Sequence, residues 1–217
     1  MKRVLIGLYL IIIVGIIVLL VSNYFRDNKN DKAIAAGERV YKQQCAPCHG
    51  QNGKGEGSKA GTALNNQHFL NSVSDRNLYN NIKNGRTGTA MPSYGSKISK
   101  MDLENLVAFI RNWKTEEMKL SAPKIFDGNV ENGAHLYQTY CLTCHGEKAT
   151  GKLDMGPSLS NTEFLKYTSD KQIWISTAYG REETRMGPSL KGLDGVRQLK
   201  EEEITDIVSY IRSLQKK

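Results

Sequence analysis

Cys-x-x-Cys-His occurs twice, as Cys45, Cys48, His49 and as Cys141, Cys144, His145, and the two motifs use every cysteine in the chain. Two thiols about one helical turn apart reach both vinyl groups of a single porphyrin, and the adjoining imidazole then faces the iron. The spacing therefore predicts two covalently attached c-type haems. Zinc would want its cysteine pairs closer together, with further ligands near. A thioredoxin-like redox pair would want a βαβ pattern around one motif, whereas both motifs follow short helical segments. Cysteines held as thioethers leave none for disulfides.

A chain of 217 residues accommodates one large domain or two small ones, and the duplicated motif favours two of roughly 90 residues each. Domains so small bury limited apolar area. A porphyrin sealed into each would supply much of the missing core, so neither half is expected to fold well without it. The formal charge of +8 is unevenly spread: residues 33–118 carry 11 basic and 7 acidic side chains, and residues 127–217 carry 12 and 13. The basic first half suits docking to an acidic partner, an ordinary solvated surface being the alternative. No basic run is interleaved with aromatics, so nothing points to nucleic acid.

Val4 to Val21 is apolar apart from Gly7, Tyr9 and Gly15. At about 1.5 Å per residue, this stretch approaches the thickness of the bilayer hydrocarbon. A cleaved signal would be shorter and followed closely by a small-residue site. Here Ser22-Asn23-Tyr24-Phe25-Arg26 follows, and the Ala33-x-Ala35 pattern lies well downstream. An uncleaved membrane anchor over residues 4–21 is expected, with residues 28–32 as a short polar tether. Lys2 and Arg3 oppose Arg26, Lys29 and Lys32, so charge alone does not orient it.

The two halves superpose on themselves. Gly37, Tyr41, Cys45, Cys48, His49 and Gly50 match Gly133, Tyr137, Cys141, Cys144, His145 and Gly146 at an offset of 96; Leu64, Phe69, Leu70, Ser74, Asp75, Gly85, Arg86 and Met91 match Leu159, Phe164, Leu165, Ser169, Asp170, Gly180, Arg181 and Met186 at 95. Ser74 is placed to cap a helix ending near Gly85, and Ser169 with Gln172 offers a reciprocal capping box for its counterpart ending near Gly180. Leu103, Leu106, Val107, Ile110 and Ile204, Ile207, Val208, Ile211 follow helical spacing, so each half closes with an amphipathic helix, the first starting at Ser99. Residues 115–130 lack periodicity and read as the link between halves.

Taken together, Cys-x-x-Cys-His-Gly, a Gly-Pro-Ser-Leu segment, Gly-Arg leading to a Met near a Pro, and a terminal helix resemble a class I cytochrome c. The likeness covers nearly all of residues 33–217, twice, and the arrangement is similar to membrane-anchored di-haem cytochromes c, including di-haem subunits of some haem–copper oxidases. It implies an all-α fold: an N-terminal transmembrane helix and tether over 1–32, a cytochrome c-like domain over 33–118, a linker over 119–130, and a second such domain over 131–217, each domain around one covalent haem. It also implies placement of those domains outside the cytoplasmic membrane, on its periplasmic side.

The same resemblance implies that His49 and His145 are the proximal iron ligands and Met91 and Met186 the distal ones; core filling is the alternative role for the methionines. Met155, in a Met-Gly-Pro-Ser-Leu string identical to that at Met186, has Ala60 rather than Met as its repeat partner. Family precedent has the carbonyl of Pro157 accept a hydrogen bond from the proximal imidazole. The first domain reads Gly61-Thr62-Ala63-Leu64, without the proline. Thr62 is expected to serve less rigidly, so the two haems should differ in potential. Arg86 and Arg181 are candidates for pairing with haem propionates, ordinary surface ion pairs being the alternative. His68 is expected as a surface histidine, His135 as solvent-facing, and Tyr79 and Trp174 as core packing against porphyrin.

The function implied is electron carriage, without enzymatic chemistry of its own, between a quinol-oxidising complex or cytochrome donor and a terminal oxidase or reductase. A permanent di-haem subunit of a larger complex is the alternative. A peroxidase or sulfur-compound dehydrogenase would want one iron with an open position, and both repeats keep their Met.

Overall fold

No proline precedes Pro47 and no glycine lies between Gly15 and Gly37, so nothing there stops a helix once begun. The computed structural model, which describes residues 2–56 and 61–215 and the side chains of these apart from residues 2–11 and Arg26, has one unbroken helix, α1, over Lys2–Gln44. The polar residues 28–32 are thus helical, and the connection into the first domain is stiff. Among the described residues no helix is long and apolar enough to cross a membrane. The expected anchor falls partly on residues 4–11, whose side chains lie outside the described residues.

After α1 come α2 (Ala46–His49), α3 (Gln67–Ser72), α4 (Asp75–Asn84) and α5 (Lys100–Arg111); then α6 (Val130–Tyr140), α7 (Leu142–His145), α8 (Thr162–Tyr167), α9 (Asp170–Ala178) and α10 (Glu201–Ser213). No strand is present among the described residues beyond isolated bridges at Lys152/Gly156 and Leu190/Leu199.

In each half the helix entering the Cys-x-x-Cys-His motif crosses the closing helix, α1 on α5 and α6 on α10. Glycine permits the close approach: a Cβ on Gly37 would stand 2.0 Å from the carbonyl oxygen of Asn105, and one on Gly133 2.0 Å from that of Asp206. Behind these crossings lie two separate cores. The first gathers Leu70, Leu78, Leu103, Leu106 and Ile110; the second gathers Leu165, Trp174, Ile204, Ile207 and Ile211. Trp174 is fully buried, its indole N–H donating to Thr205 Oγ1, while Tyr79 packs at the edge of the first core.

Ser74, Ser99 and Ser169 cap α4, α5 and α9 through their hydroxyls. The box at α9 is only half formed. Ser169 accepts from the Gln172 N–H, but Gln172 Oε1 is buried without a partner instead of reaching back. The turns before α4 and α9 are held by arginines from the last turns of the closing helices. Arg111 donates to Asp75 and to the Leu70 and Val73 carbonyls, and Arg212 to Asp170 and to the Leu165 and Thr168 carbonyls. Arg212→Ala is expected to cost about 2 kcal/mol in urea unfolding, chiefly from carbonyls left without donors.

The link between halves is tied down along its length. The Gln67 and Asn71 amides bond the backbone of Trp113, Thr115, Glu116 and Met118, and Leu120, Ala122 and Phe126 pack on the second core. The halves then meet in a seam in which α3 packs on α9 and α4 on α8. Because α3 corresponds to α8 and α4 to α9 in the repeat, the seam approximates a two-fold, self-complementary contact within one chain. Its polar bonds repeat accordingly: Asn66 Nδ2 donates to the Glu182 carbonyl at 3.0 Å and Asn161 Nδ2 to the Thr87 carbonyl at 2.8 Å.

Candidate functional site

Each motif is built on one turn of helix. His49 N–H donates to the Cys45 carbonyl and His145 N–H to that of Cys141, both at 2.9 Å, so the two cysteines and the histidine of each motif share a single turn. Tyr41 and Tyr137 fasten the motifs from below, each hydroxyl donating to the carbonyl of the glycine after the histidine at 2.7 Å. The four cysteines are unpaired with one another. Burial, then Cys48, pushes the Cys45 thiol up to about 12; burial pushes Cys141 up to about 11 against the opposing charge of Arg197. Such thiols stay protonated at neutral pH, unlike the thiolate of a redox-active pair.

The imidazoles are aimed by backbone carbonyls. His49 Nδ1 lies 2.7 Å from Thr62 O, and His145 Nδ1 lies 2.9 Å from Pro157 O. A carbonyl only accepts, so Nδ1 carries the proton and Nε2 is left with a free lone pair for a metal. Burial lowers the pKa of both rings, aided at His49 by the charges of Arg86 and Arg181 and at His145 by Arg197, against the carbonyl bonds that raise it. Both therefore hold the neutral form a metal requires.

The methionines are presented by matched loops. Arg86 N–H donates to the Met91 carbonyl and Arg181 N–H to that of Met186; Met91 N–H and Met186 N–H in turn reach the hydroxyls of Thr89 and Thr184. Both Met side chains are half-buried. Met155, by contrast, is exposed, its sulfur facing the Arg185 guanidinium at 3.3 Å. Thr184→Val removes the hydroxyl that holds the second loop. If Met186 ligates the second haem as expected, the change makes that ligand easier to displace, read as tighter imidazole binding by the second haem than the first.

Arg86 and Arg181 are not surface ion pairs. They retain only a minor share of their surface in solvent, and their charged ends are withdrawn into the seam. Each lies over a phenylalanine of the other half, Arg86 over Phe164 at 5.1 Å and Arg181 over Phe69 at 4.8 Å. Burial lowers both, and the Arg86 charge adds to burial in bringing Arg181 down to about 10. Among the described residues no carboxylate pairs with either, and Arg86 Nε is buried with no acceptor. Buried cations lacking an acidic partner call for an anion, and haem propionates fit that demand.

His68 is likewise no surface histidine: it lies in the seam, with Nδ1 3.2 Å from the Gly180 carbonyl and Nε2 3.7 Å from Glu182. His135 is exposed on α6. The sequence reading missed Arg197, which donates to the Tyr140 and Gly187 carbonyls beside the second motif. In the first domain the Tyr94 hydroxyl serves the matching carbonyl, that of Gln44, at 2.9 Å. The second site thus has a cation where the first has a neutral phenol.

Residues 32–110 match the family model described as cytochrome C oxidase, cbb3-type, subunit III, and residues 130–215 match that described as cytochrome c. The chain is 28% identical over 152 residues to the cbb3-type cytochrome c oxidase subunit FixP of Azorhizobium caulinodans, covering 67% of this chain and 49% of that protein. It is 25% identical over 192 residues to the subunit CcoP of Rhodobacter capsulatus, covering 82% and 61%. The chain thus spans about half the length of the curated relatives it matches. Among solved structures, the Kuenenia stuttgartiensis reducing HAO-like protein complex Kustc0457/Kustc0458 aligns with a TM-score of 0.49 at 18% identity, over 83% of this chain and 96% of that one.

Proposed function

We infer, from the premise that the chain is a tandem di-haem cytochrome c whose first domain is of the cbb3-type oxidase subunit III kind, that it relays single electrons between components of a membrane-bound respiratory chain. When bound, the two c-type haems supply a one-electron iron couple. The chain's residues would do the rest: Cys45, Cys48, Cys141 and Cys144 would attach the haems, His49 and His145 would ligate through Nε2, and Met91 and Met186 would offer the second ligand. A thioether ligand favours the reduced iron and suits a relay.

The observation that carries this reading is that both sites have the same frame, an imidazole fixed by a carbonyl and a methionine in a loop tied at both ends. An enzyme acting at iron would need one frame to differ. The test is spectral. Charge-transfer absorption from iron–methionine sulfur at both sites supports the relay, and a high-spin signal or ready cyanide binding at one site points to catalysis instead.

A second reading, a permanent subunit of an oxidase, is favoured by the relatives, which are named as cbb3-type oxidase subunits. Purification in mild detergent separates the two: a constant ratio to an oxidase core supports the subunit, and recovery of the chain alone supports the carrier. Either role places α1 in the cytoplasmic membrane through residues 4–21, with the haem domains on the periplasmic side. The exposed apolar side chains Ile12 and Val14, the run from Ile16 to Val21, and Tyr24 and Phe25 support that placement. Donor and acceptor are then a quinol-oxidising complex or cytochrome on one side and a terminal oxidase or reductase on the other.

The charge of Arg197 beside His145 disfavours ferric iron at the second site. Arg197→Gln is expected to lower the midpoint potential of the second haem and leave the first in place, as read in a spectroelectrochemical titration.

A further inference from the structure

The loop that receives the His49 ring, Gly61 to Leu64, lacks the proline that stiffens its counterpart, Gly156 to Leu159. It gains a bond from the other domain instead. Arg181 belongs to the methionine loop of the second domain, where its backbone N–H holds the Met186 carbonyl. Its guanidinium crosses the seam, lies over Phe69 and donates to the carbonyl of Ala63. Ala63 follows Thr62, whose own carbonyl accepts the His49 Nδ1 proton.

The reverse crossing is incomplete. Arg86 covers Phe164, but among the described residues it makes no bond to the Pro157 loop, and its Nε has no acceptor. So among the described residues the carbonyl loop stiffened by proline has no brace from across the seam, and the loop without proline has one. A planar guanidinium suits this task, because it covers a ring face and donates in its own plane at once.

We propose that Arg181 is a positioning residue acting on the other domain: from the second domain it fixes the 61–64 loop, and through it the Thr62 carbonyl that orients the His49 imidazole. The proposal rests on the reading that His49 ligates haem iron. Its consequence is one-way dependence. The proximal side of the first haem is held by the distal loop of the second, so undocking the domains loosens the first site and leaves the second unchanged.

The test uses the full chain with both haems attached and follows solvent exchange of the two ligand Nδ1 protons by NMR. Arg181→Ala is expected to speed exchange at His49 about tenfold while leaving His145 unchanged, since one bond that resists local opening is lost. Adding Thr62→Pro is expected to restore slow exchange at His49. Unchanged exchange at His49, equal acceleration at both histidines, or no rescue by the proline overturns the proposal. Should Arg181→Ala fail to accumulate with two haems, the double variant decides: recovery of both haems supports the brace, and continued failure overturns it. No partner is needed for this measurement, so a negative result leaves the relay reading standing.

Discussion

Cys45→Ala with Cys48→Ala is expected to leave a chain carrying one haem, with a first domain that does not fold. That half has a short α2, three-turn helices at most outside α1, and a core whose margin is filled by partly buried residues such as Leu64, Tyr79, Met91 and Tyr94. A porphyrin attached at Cys45 and Cys48 would be expected to cover that margin. Without it, apolar area comparable to several core residues stays wet, at about 25 cal/mol for each Å², which is on the order of the whole stability of so small a domain. The measurement is a haemochrome assay per chain together with limited proteolysis. One haem, a protected fragment covering roughly residues 120–215 and rapid digestion of residues 33–118 are expected. Two haems, or equal protection of both halves, would refute it.

Gly133→Val is expected to destabilise the second domain by more than about 4 kcal/mol, because two hydrogen-bonded helix backbones meet at that point and neither yields cheaply. The new Cβ would have to stand 2.0 Å from the Asp206 carbonyl oxygen. Separating α6 from α10 would in turn pull Tyr137 from the Gly146 carbonyl and tilt the turn carrying Cys141 and His145. Haem attachment at the second motif should fall with stability. The neighbouring Gly128 provides a less severe comparison, its Cβ meeting Asp206 atoms at 2.7 Å. Near-normal unfolding of Gly133→Val in urea would show that the crossing adapts.

Local chemistry made much of this legible from residues alone. Ser74, Ser99 and Ser169 cap their helices because a cap needs only a hydroxyl and a nearby N–H. The closing helices bury the residues their spacing selects. The bonds from the imidazoles to the Thr62 and Pro157 carbonyls follow the family resemblance rather than local chemistry. The seam was not legible in the same way. His68 looks like a surface residue, and Arg86 and Arg181 as readily pair at the surface as with propionates, since their seam partners lie far along the chain and no short-range pattern announces them. The matched arginines and phenylalanines at one offset were visible as a repeat, but a repeat does not say whether two copies face each other. Arg197 escaped for another reason: its place in the first domain is taken by Tyr94, from a different part of the repeat, so superposing the halves hides it.

The unbroken course of α1 bears on how far the first iron site can travel. From Ser22 to Asn30, where the helix meets the body of the protein, the backbone rises about 12 Å as a stiff rod, with none of the slack of a glycine-serine linker. Were its lower end held in a bilayer, the rod would act as a mast of fixed height. Encounters would then come by drifting and spinning in the plane, and a donor or acceptor would have to present its own redox group at that altitude.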